Sequence, residues 1–163
     1  EEDTINAGAG NDSISAGAGD DTINAGVGRN SINAGEGDDT INITEGDGRS
    51  NYEVVRGGEG NDTVVFEGDR DDYEISYDDH NSRFTVENID TQEIQYIYDD
   101  VENIQFADKT VATHNADGSL DLSITNDTIS TGDEKDVIRS GSGDDVINTA
   151  GGDDSISAGS GDD

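Results

Sequence analysis

The chain has 163 residues, of which 40 are aspartate or glutamate and 8 are lysine or arginine, so its formal net charge is −32. Such a charge disfavours nucleic acid and anionic membrane surfaces as partners, and no apolar run approaches the ~18 residues that a membrane-spanning helix needs. Only 29% of the residues are hydrophobic, and low hydrophobicity combined with high charge is typical of chains that do not fold without additional stabilisation.

A nine-residue repeat occupies the first part of the chain. Residues 7–15 read AGAGNDSIS, and the stretches 16–24, 25–33 and 34–42 follow the same pattern. A further complete copy, GGEGNDTVV, lies at 57–65. Repetition with a short fixed period indicates a solenoid, in which each copy is one structural unit that stacks on its neighbours.

Each copy is predicted to consist of a tight turn followed by a very short strand. In the copy 16–24, Thr22-Ile23-Asn24 has the alternation of a strand, with the β-branched Ile23 directed into the interior. The preceding residues must reverse the chain, and Gly17 and Gly19 are expected to do so with positive φ angles. Two copies then form one coil, so each copy stacks on the copy two places further along.

Stacking is expected to bring together the aspartates at the sixth position of successive coils. Asp21 is predicted to lie against Asp39, and each turn adds backbone carbonyl oxygens to the gap between the two carboxylates. Calcium prefers an oxygen-only donor set of this kind, whereas magnesium requires a smaller octahedron and zinc usually takes histidine or cysteine. The predicted pairs are Asp3 with Asp21, Asp21 with Asp39, Asp39 with Asp62, Asp127 with Asp145, Asp136 with Asp154, and Asp145 with Asp163.

Two places in the first array depart from the pattern. Arg29 and Asn30 stand where other copies have two acidic or amide residues ending in aspartate. The pair of Asp12 with Asn30 is therefore predicted to bind an ion weakly, with the charge of Arg29 as a substitute for the ion. Residues 43–56 are longer than one copy and are expected to bulge outward while Val54 still points inward.

A different pattern covers residues 66–122, where glycine is rare and most of the aromatic residues lie. Strand-like alternation appears at 73–77, 83–87, 94–98 and 101–106. These segments predict an antiparallel meander with a conventional core. Because a solenoid needs protected ends, we expect the meander to cap the first array and to separate it from the second.

A second array of the nonapeptide runs through residues 123–163. One of its copies carries Glu134 and Lys135 where glycine and an acid are usual, so this turn is expected to depart from the others. Both ends of the chain fall within a repeat, and we therefore expect a longer tandem protein in which neighbouring repeats continue the stack. The predicted fold is all-β, with two parallel β-roll (β-helix) solenoid arrays at 1–65 and 123–163 separated by the meander at 66–122.

The nonapeptide G-G-x-G-x-D-x-U-x, where U is a large aliphatic residue, resembles the calcium-binding repeat of RTX proteins. The resemblance covers about two thirds of the chain, and VENIQFADKTV at 101–111 resembles the segment that flanks such repeats in this family. It implies a β-roll with several calcium ions, roughly five to eight, held by the aspartates and by carbonyls of the turn glycines. The implied ligand residues are Asp3, Gly8, Gly10, Asp12, Gly17, Gly19, Asp21, Gly35, Gly37, Asp39, Gly58, Gly60, Asp62, Asp127, Gly132, Asp136, Gly141, Gly143, Asp145, Gly152, Asp154, Gly159, Gly161 and Asp163.

The resemblance further implies a calcium-binding structural module of a large secreted bacterial protein of toxin, adhesin or exoenzyme type. Such proteins leave the cell through a type I secretion apparatus and fold in extracellular calcium. We expect no catalytic activity, since the chain has no HExxH motif and His80 and His114 lie among turn residues. An alternative is a roll surface that binds polysaccharide or another surface ligand in a calcium-dependent manner, as in the repeat modules of alginate epimerases. Ice binding is disfavoured because the third loop positions, such as Ala9 and Val27, form no threonine ladder.

Overall fold

The computed structural model describes the greater part of the chain. The described residues are 1–46, 52–78, 80–107, 111–114, 119–121, 128–130, 137–140, 143–149 and 151–163. The strands are β1 Thr4–Asn6, β2 Ser13–Ala18, β3 Thr22–Asn24, β4 Arg29–Glu36, β5 Thr40–Asn42, β6 Tyr52–Glu59, β7 Thr63–Val65, β8 Tyr73–Asp78, β9 Arg83–Asn88, β10 Ile94–Tyr98, β11 Asn103–Gln105, β12 Val111–His114, β13 Ser119–Asp121, β14 Thr128–Ser130, β15 Val137–Arg139, β16 Val146–Asn148 and β17 Ser155–Ser157. A 3-10 turn, Arg70–Asp72, precedes β8. No helix among these residues is long and apolar enough to cross a membrane.

Within the described residues these strands form three sheets. The first has the order β1-β3-β5-β7-β11-β12-β13-β15-β17, the second has the order β2-β4-β6-β10-β9-β8, and β14 pairs with β16. In the first array the chain alternates between the first two sheets, and the strands within each sheet are parallel. This arrangement is the predicted parallel β-roll.

Each coil of the first array stacks in register on the coil before it. Ile5 pairs with Ile23, and Ile23 pairs with Ile41, in the first sheet. Ile14 pairs with Ile32 in the second sheet. Ile23 and Ile41 are 0% exposed, because a strand directs alternate side chains to opposite faces and the middle residue of each three-residue strand faces the interior. The predicted inward direction of these isoleucines is confirmed.

The residues between 43 and 56 lengthen one coil. Across this insertion Ile32 pairs with Val55, which is 0% exposed, whereas Val54 is only partly buried. The prediction that Val54 points inward is wrong, because the register of β6 on β4 places its neighbour in the interior and a shift of one residue exchanges the two faces of a strand. Residues 47–51, on which much of the expected bulge falls, lie outside the described residues.

The predicted meander is hydrogen-bonded into both large sheets. β8, β9 and β10 pair antiparallel, as expected, and β10 also pairs in parallel with β6 of the first array. The segment that was predicted as a fourth strand of the meander instead joins the first sheet, where β11 pairs in parallel with β7. β12 and β13 continue this sheet to β15 and β17 of the second array. Hydrogen bonds thus link all three predicted regions, and their division into domains at 1–65, 66–122 and 123–163 remains a proposal.

Aromatic side chains fill the core where the roll meets the meander. The rings of Phe66 and Phe106 stack with their centroids 5.5 Å apart. Tyr73 lies 5.1 Å from the first ring and 5.2 Å from the second. Burial of a large apolar side chain contributes roughly 1.5–3 kcal/mol. The junction therefore has a conventional core, whereas the roll buries mainly one aliphatic residue per short strand.

Candidate metal centre

The turns of the roll require glycine at their second and fourth positions. Gly17 and Gly19 have φ angles of 118° and 116°, which confirms the predicted conformation. Close stacking is a second requirement, because a Cβ on Gly35 would lie 2.0 Å from the carbonyl oxygen of Gly17. The carbonyl oxygen at this position therefore points from one turn towards the next. Positive φ angles are also found at Gly8, Gly10, Gly26, Gly28, Gly35, Gly37, Gly58, Gly60, Gly143, Gly152, Gly159 and Gly161.

Five carboxylates form a ladder along one edge of the roll. We call this ladder the aspartate stack; its members are Asp3, Asp21, Asp39, Asp62 and Glu102. The backbone N–H of Asp3 donates to Oδ1 of Asp21 at 2.6 Å, and that of Asp21 donates to Oδ1 of Asp39 at 2.7 Å. The N–H of Asp39 donates to Oδ1 of Asp62 at 2.9 Å. The structure thus brings together the three pairs predicted for this part of the chain.

The second oxygen of the buried aspartates in this stack has no hydrogen-bond partner. Asp21, Asp39 and Asp62 are at most 2% exposed, and Oδ2 of each is buried without a donor. Burial, together with the neighbouring carboxylates, raises the pKa of Asp39 and raises that of Asp62 to about 6. An uncompensated buried charge costs roughly 3–5 kcal/mol. The arrangement is therefore unfavourable unless a cation approaches these oxygens.

Two residues outside the nonapeptides extend the aspartate stack into the meander. β11 pairs with β7, so that Glu102 takes the place of a further aspartate, and its Oε2 accepts a hydrogen bond from the N–H of Asp62 at 2.7 Å. The N–H of Gly57 donates to Oδ1 of Asp100 at 3.2 Å. A Cβ on Gly57 would lie 2.2 Å from Oδ2 of Asp62 and 2.3 Å from the carbonyl oxygen of Asp100. The orphaned oxygen of Asp62 therefore lies close to this carbonyl.

Neither Glu102 nor Asp100 was predicted as a site residue. No glycine pattern surrounds them, and only the pairing of β11 with β7 carries them to the end of the stack. Glu102 does lie one residue before the segment that continues the sheet, in the same relation to Ile104 as Asp62 has to Val64. This spacing of an acid two residues before an inward aliphatic residue is the sequence signal that could have indicated it.

A second ladder follows the opposite edge of the first array. We call it the amide stack; its members are Asp12, Asn30, Glu53 and Gln95. The N–H of Asp12 donates to Oδ1 of Asn30 at 3.0 Å, and the N–H of Glu53 donates to Oε1 of Gln95 at 2.7 Å. Burial, with repulsion from Glu93, raises the pKa of Glu53 to about 8. Two uncharged amides thus occupy positions that carboxylates hold in the aspartate stack.

One of the aspartate pairs predicted for the second array lies within the described residues. The N–H of Asp145 donates to Oδ1 of Asp163 at 3.2 Å. Asp154 is partly buried. Its predicted partner, Asp136, lies outside the described residues, as does Asp127, the predicted partner of Asp145 in the preceding coil. The candidate residues Gly132 and Gly141 lie outside the described residues as well.

The donor set suits calcium. Within the described residues, no group of three or more histidine, cysteine, aspartate or glutamate side chains converges on one point. The oxygens that successive coils bring together are carboxylates of the aspartate stack and carbonyls of the turns. Calcium accepts such mixed oxygen shells of six to eight ligands, whereas zinc selects nitrogen and sulfur.

The comparison with protein-family models agrees with this chemistry. The family model of the RTX calcium-binding nonapeptide repeat matches residues 1–32, 17–49, 54–73, 123–156 and 130–163. A search of curated protein sequences gives no match. Among solved structures, the crystal structure of the extracellular lipase LipA from Serratia marcescens is similar to 94% of this chain, with 15% identity and a TM-score of 0.42, and the chain spans 28% of that lipase. Since the family model matches more than half of its residues, the chain belongs to the family of proteins built from the RTX calcium-binding nonapeptide repeat.

Proposed function

We propose that the chain is a calcium-dependent structural module of a larger secreted protein and that it has no catalytic role. The observation that supports this most strongly is the aspartate stack, in which Oδ2 of Asp21, Asp39 and Asp62 is buried without a hydrogen-bond partner. Calcium ions between successive coils compensate these oxygens. The proposed ligands are the aspartates and turn carbonyls implied by the repeat, together with Glu102 and Asp100 at the end of the stack.

Calcium changes the sign of the electrostatic contribution to folding. Two carboxylates ~4 Å apart repel by about 1 kcal/mol in water and by about 4 kcal/mol at an effective dielectric constant of 20. Ordering costs about 1–2 kcal/mol per residue, and the roll buries few side chains in return. Each site adds about 1.4 kcal/mol of stability when calcium is at ten times its dissociation constant. Several sites together supply a stabilisation comparable to the net stability of a whole domain, about 5–15 kcal/mol.

This dependence on calcium suits a protein that leaves the cell unfolded. In the low calcium of a bacterial cytoplasm the repulsion within the aspartate stack keeps the chain unfolded, so that it can pass through a type I secretion channel. Extracellular modules bind calcium with dissociation constants of ~10⁻⁴–10⁻³ M, and the module folds once it meets such concentrations. We propose an extracellular location and a parent protein of toxin, adhesin or exoenzyme type, whose further repeats stack on this one.

The test is far-UV circular dichroism of the chain in calcium and in chelator, combined with isothermal titration calorimetry. We expect a cooperative gain of strand signal as calcium is added, accompanied by the uptake of several ions. Magnesium at equal concentration is the control and should produce little of this signal, because it requires a stricter octahedral shell. Strand signal that is unchanged by chelation would contradict the proposal.

A further inference from the structure

The amide of Asn30 occupies the space between a turn and the coil above it. Its Oδ1 accepts the hydrogen bond from the N–H of Asp12 at 3.0 Å, which fixes the orientation of the amide. Nδ2 then faces the carbonyl oxygen of Ala25 at 3.4 Å and that of Gly26 at 3.3 Å. The same nitrogen lies 3.3 Å from Oε1 of Glu53 on the next coil. One amide nitrogen therefore contacts three oxygen acceptors.

The equivalent atom in the aspartate stack is an oxygen. Oδ1 of Asp39 accepts the backbone hydrogen bond from the preceding coil at 2.7 Å, as Oδ1 of Asn30 does, so Oδ2 of Asp39 takes the place of Nδ2 of Asn30. Carbonyl oxygens of its own turn, at Ala34 and Gly35, are the counterparts of those that Asn30 contacts. A carboxylate oxygen has no hydrogen to donate to them, and a cation is needed between these oxygens. The amide already provides hydrogens at the corresponding point.

The residues on either side of Asn30 do not restore a pair of carboxylates. Asp12 and Glu53 each keep one buried oxygen without a hydrogen-bond partner, but Asn30 lies between them. Burial raises the pKa of Glu53 to about 8, which disfavours the ionised form that a cation site would need. The guanidinium of Arg29, the predicted substitute for an ion, lies over the ring of Tyr52, with its carbon 5.3 Å from the ring centroid.

We propose that Asn30 replaces calcium with hydrogen bonds, so that no ion binds between Asp12 and Asn30 or between Asn30 and Glu53. This inference rests on the proposed function, since it concerns which pairs of coils hold ions. One edge of the first array is then held by hydrogen bonds in any calcium concentration, and Gln95 continues that edge into the meander. The other edge is completed only when calcium binds.

The decisive variant is Asn30→Asp, which restores the carboxylate of the repeat. We expect it to bind at least one calcium ion more than the wild type in isothermal titration and to lose stability in chelator. The matched control is Asn11→Asp, which adds the same charge at an exposed position whose oxygen accepts a hydrogen bond from the N–H of Arg29 at 3.1 Å. The control should keep the wild-type number of ions.

A double variant guards against a failure to fold. The new carboxylate of Asn30→Asp faces Glu53, so Asn30→Asp combined with Glu53→Gln removes that source of repulsion and must show the same additional ion. If neither variant gains an ion over the wild type, the inference is overturned. A wild-type chain that takes up no calcium would instead contradict the proposed function, which separates the two failures.

Discussion

The two edges of the first array are built from the same nonapeptide, yet they bring different atoms to the same place. At Asp39 the second side-chain atom is a carboxylate oxygen without a hydrogen-bond partner, and at Asn30 it is an amide nitrogen that contacts two turn carbonyls. The hydrogen bond from the preceding coil is alike in both, at 2.7 Å and 3.0 Å. Because this backbone hydrogen bond is shared, we propose that one side-chain atom decides whether a coil of this roll depends on a metal ion.

The largest effect is expected from a change to the close stacking that both edges need. In Gly35→Ala the new Cβ lies 2.0 Å from the carbonyl oxygen of Gly17, at a φ angle of 127°. Gly17→Ala is the matched control, because its φ angle is 118° but nothing lies within 4 Å of its Cβ. The control should cost only backbone strain, about 1–3 kcal/mol, and Gly35→Ala should cost clearly more. The calcium concentration at which half of the protein is folded, measured by circular dichroism, should rise more for Gly35→Ala than for Gly17→Ala. Equal midpoint concentrations would contradict the close stacking of Gly35 on Gly17.

Asp39→Asn converts one position of the aspartate stack into the chemistry of Asn30. The variant removes a carboxylate that two predicted sites share, so we expect the loss of two ions in isothermal titration. At ten times the dissociation constant the loss of two sites is worth about 3 kcal/mol of stability. In chelator the effect of the substitution on stability reverses, and the variant should be more stable than the wild type because a repulsive charge is gone.

The control for Asp39→Asn is Asp20→Asn, which removes a carboxylate at an exposed position outside the aspartate stack. Oδ1 of Asp20 accepts a hydrogen bond from the N–H of Asp38 at 2.9 Å, and an asparagine oxygen can accept it equally well. We expect the wild-type number of ions for this control. An unchanged ion count in Asp39→Asn would show that its carboxylate is not a ligand.

Glu102 and Gln95 are the last members of the two stacks, and each can be converted to the side-chain type of the other. Glu102→Gln keeps an acceptor for the N–H of Asp62, which lies 2.7 Å from the carboxylate, but it removes the charge. We expect calcium affinity at the last site to fall about tenfold, or ~1.4 kcal/mol. Gln95→Glu places a carboxylate beside Glu53 and should destabilise the chain in chelator without a matching loss of calcium affinity. Titration calorimetry measures the calcium affinity of each variant, and urea unfolding in chelator measures its stability. The same response from both variants would contradict the proposed difference between the edges.

The smallest effect concerns pH and the amide stack alone. Burial raises the pKa of Glu53 from 4.5 to about 8, so the folded state binds this proton more tightly than the unfolded state. The contribution of Glu53 to stability is therefore full below about pH 4.5 and is lost as the pH rises towards about 8. Asn30 and Gln95 face Glu53 with uncharged amides, and Glu93 adds repulsion. Glu53→Gln should lose less stability than the wild type between pH 5 and pH 8 in urea unfolding at saturating calcium, and parallel profiles would contradict this assignment.

The repeating features of the fold could be predicted from the sequence because they depend on local spacing. The inward direction of Ile23, the positive φ angle of Gly17 and the contact of Asp21 with Asp39 all follow from the phase of glycine, aspartate and isoleucine within one copy. These properties recur in the next coil of the first array, at Ile41, Gly35 and the contact of Asp39 with Asp62. A single copy therefore contains the information needed to place them.

The remaining features depend on pairings between distant segments. Glu102 joins the aspartate stack through the register of β11 on β7, and Gln95 joins the amide stack through the position of β10 beside β6. The spacing of Glu102 before Ile104 is a local signal, but the segments with which β11 and β10 pair are not encoded locally. The choice between Val54 and Val55 for the interior likewise depends on how the insertion before β6 is accommodated. In the sequence Asn30 departs from the repeat, and only the structure reveals that its amide contacts two turn carbonyls and Glu53 of the next coil.

The most direct measurement is an anomalous difference map from crystals grown with terbium in place of calcium. We predict peaks along the aspartate stack and none on either side of Asn30. The expected positions are between Asp3 and Asp21, Asp21 and Asp39, Asp39 and Asp62, and Asp62 and Glu102. Peaks of similar height between Asp12 and Asn30 or between Asn30 and Glu53, or ordered turns with no peak between the aspartates, would contradict this prediction.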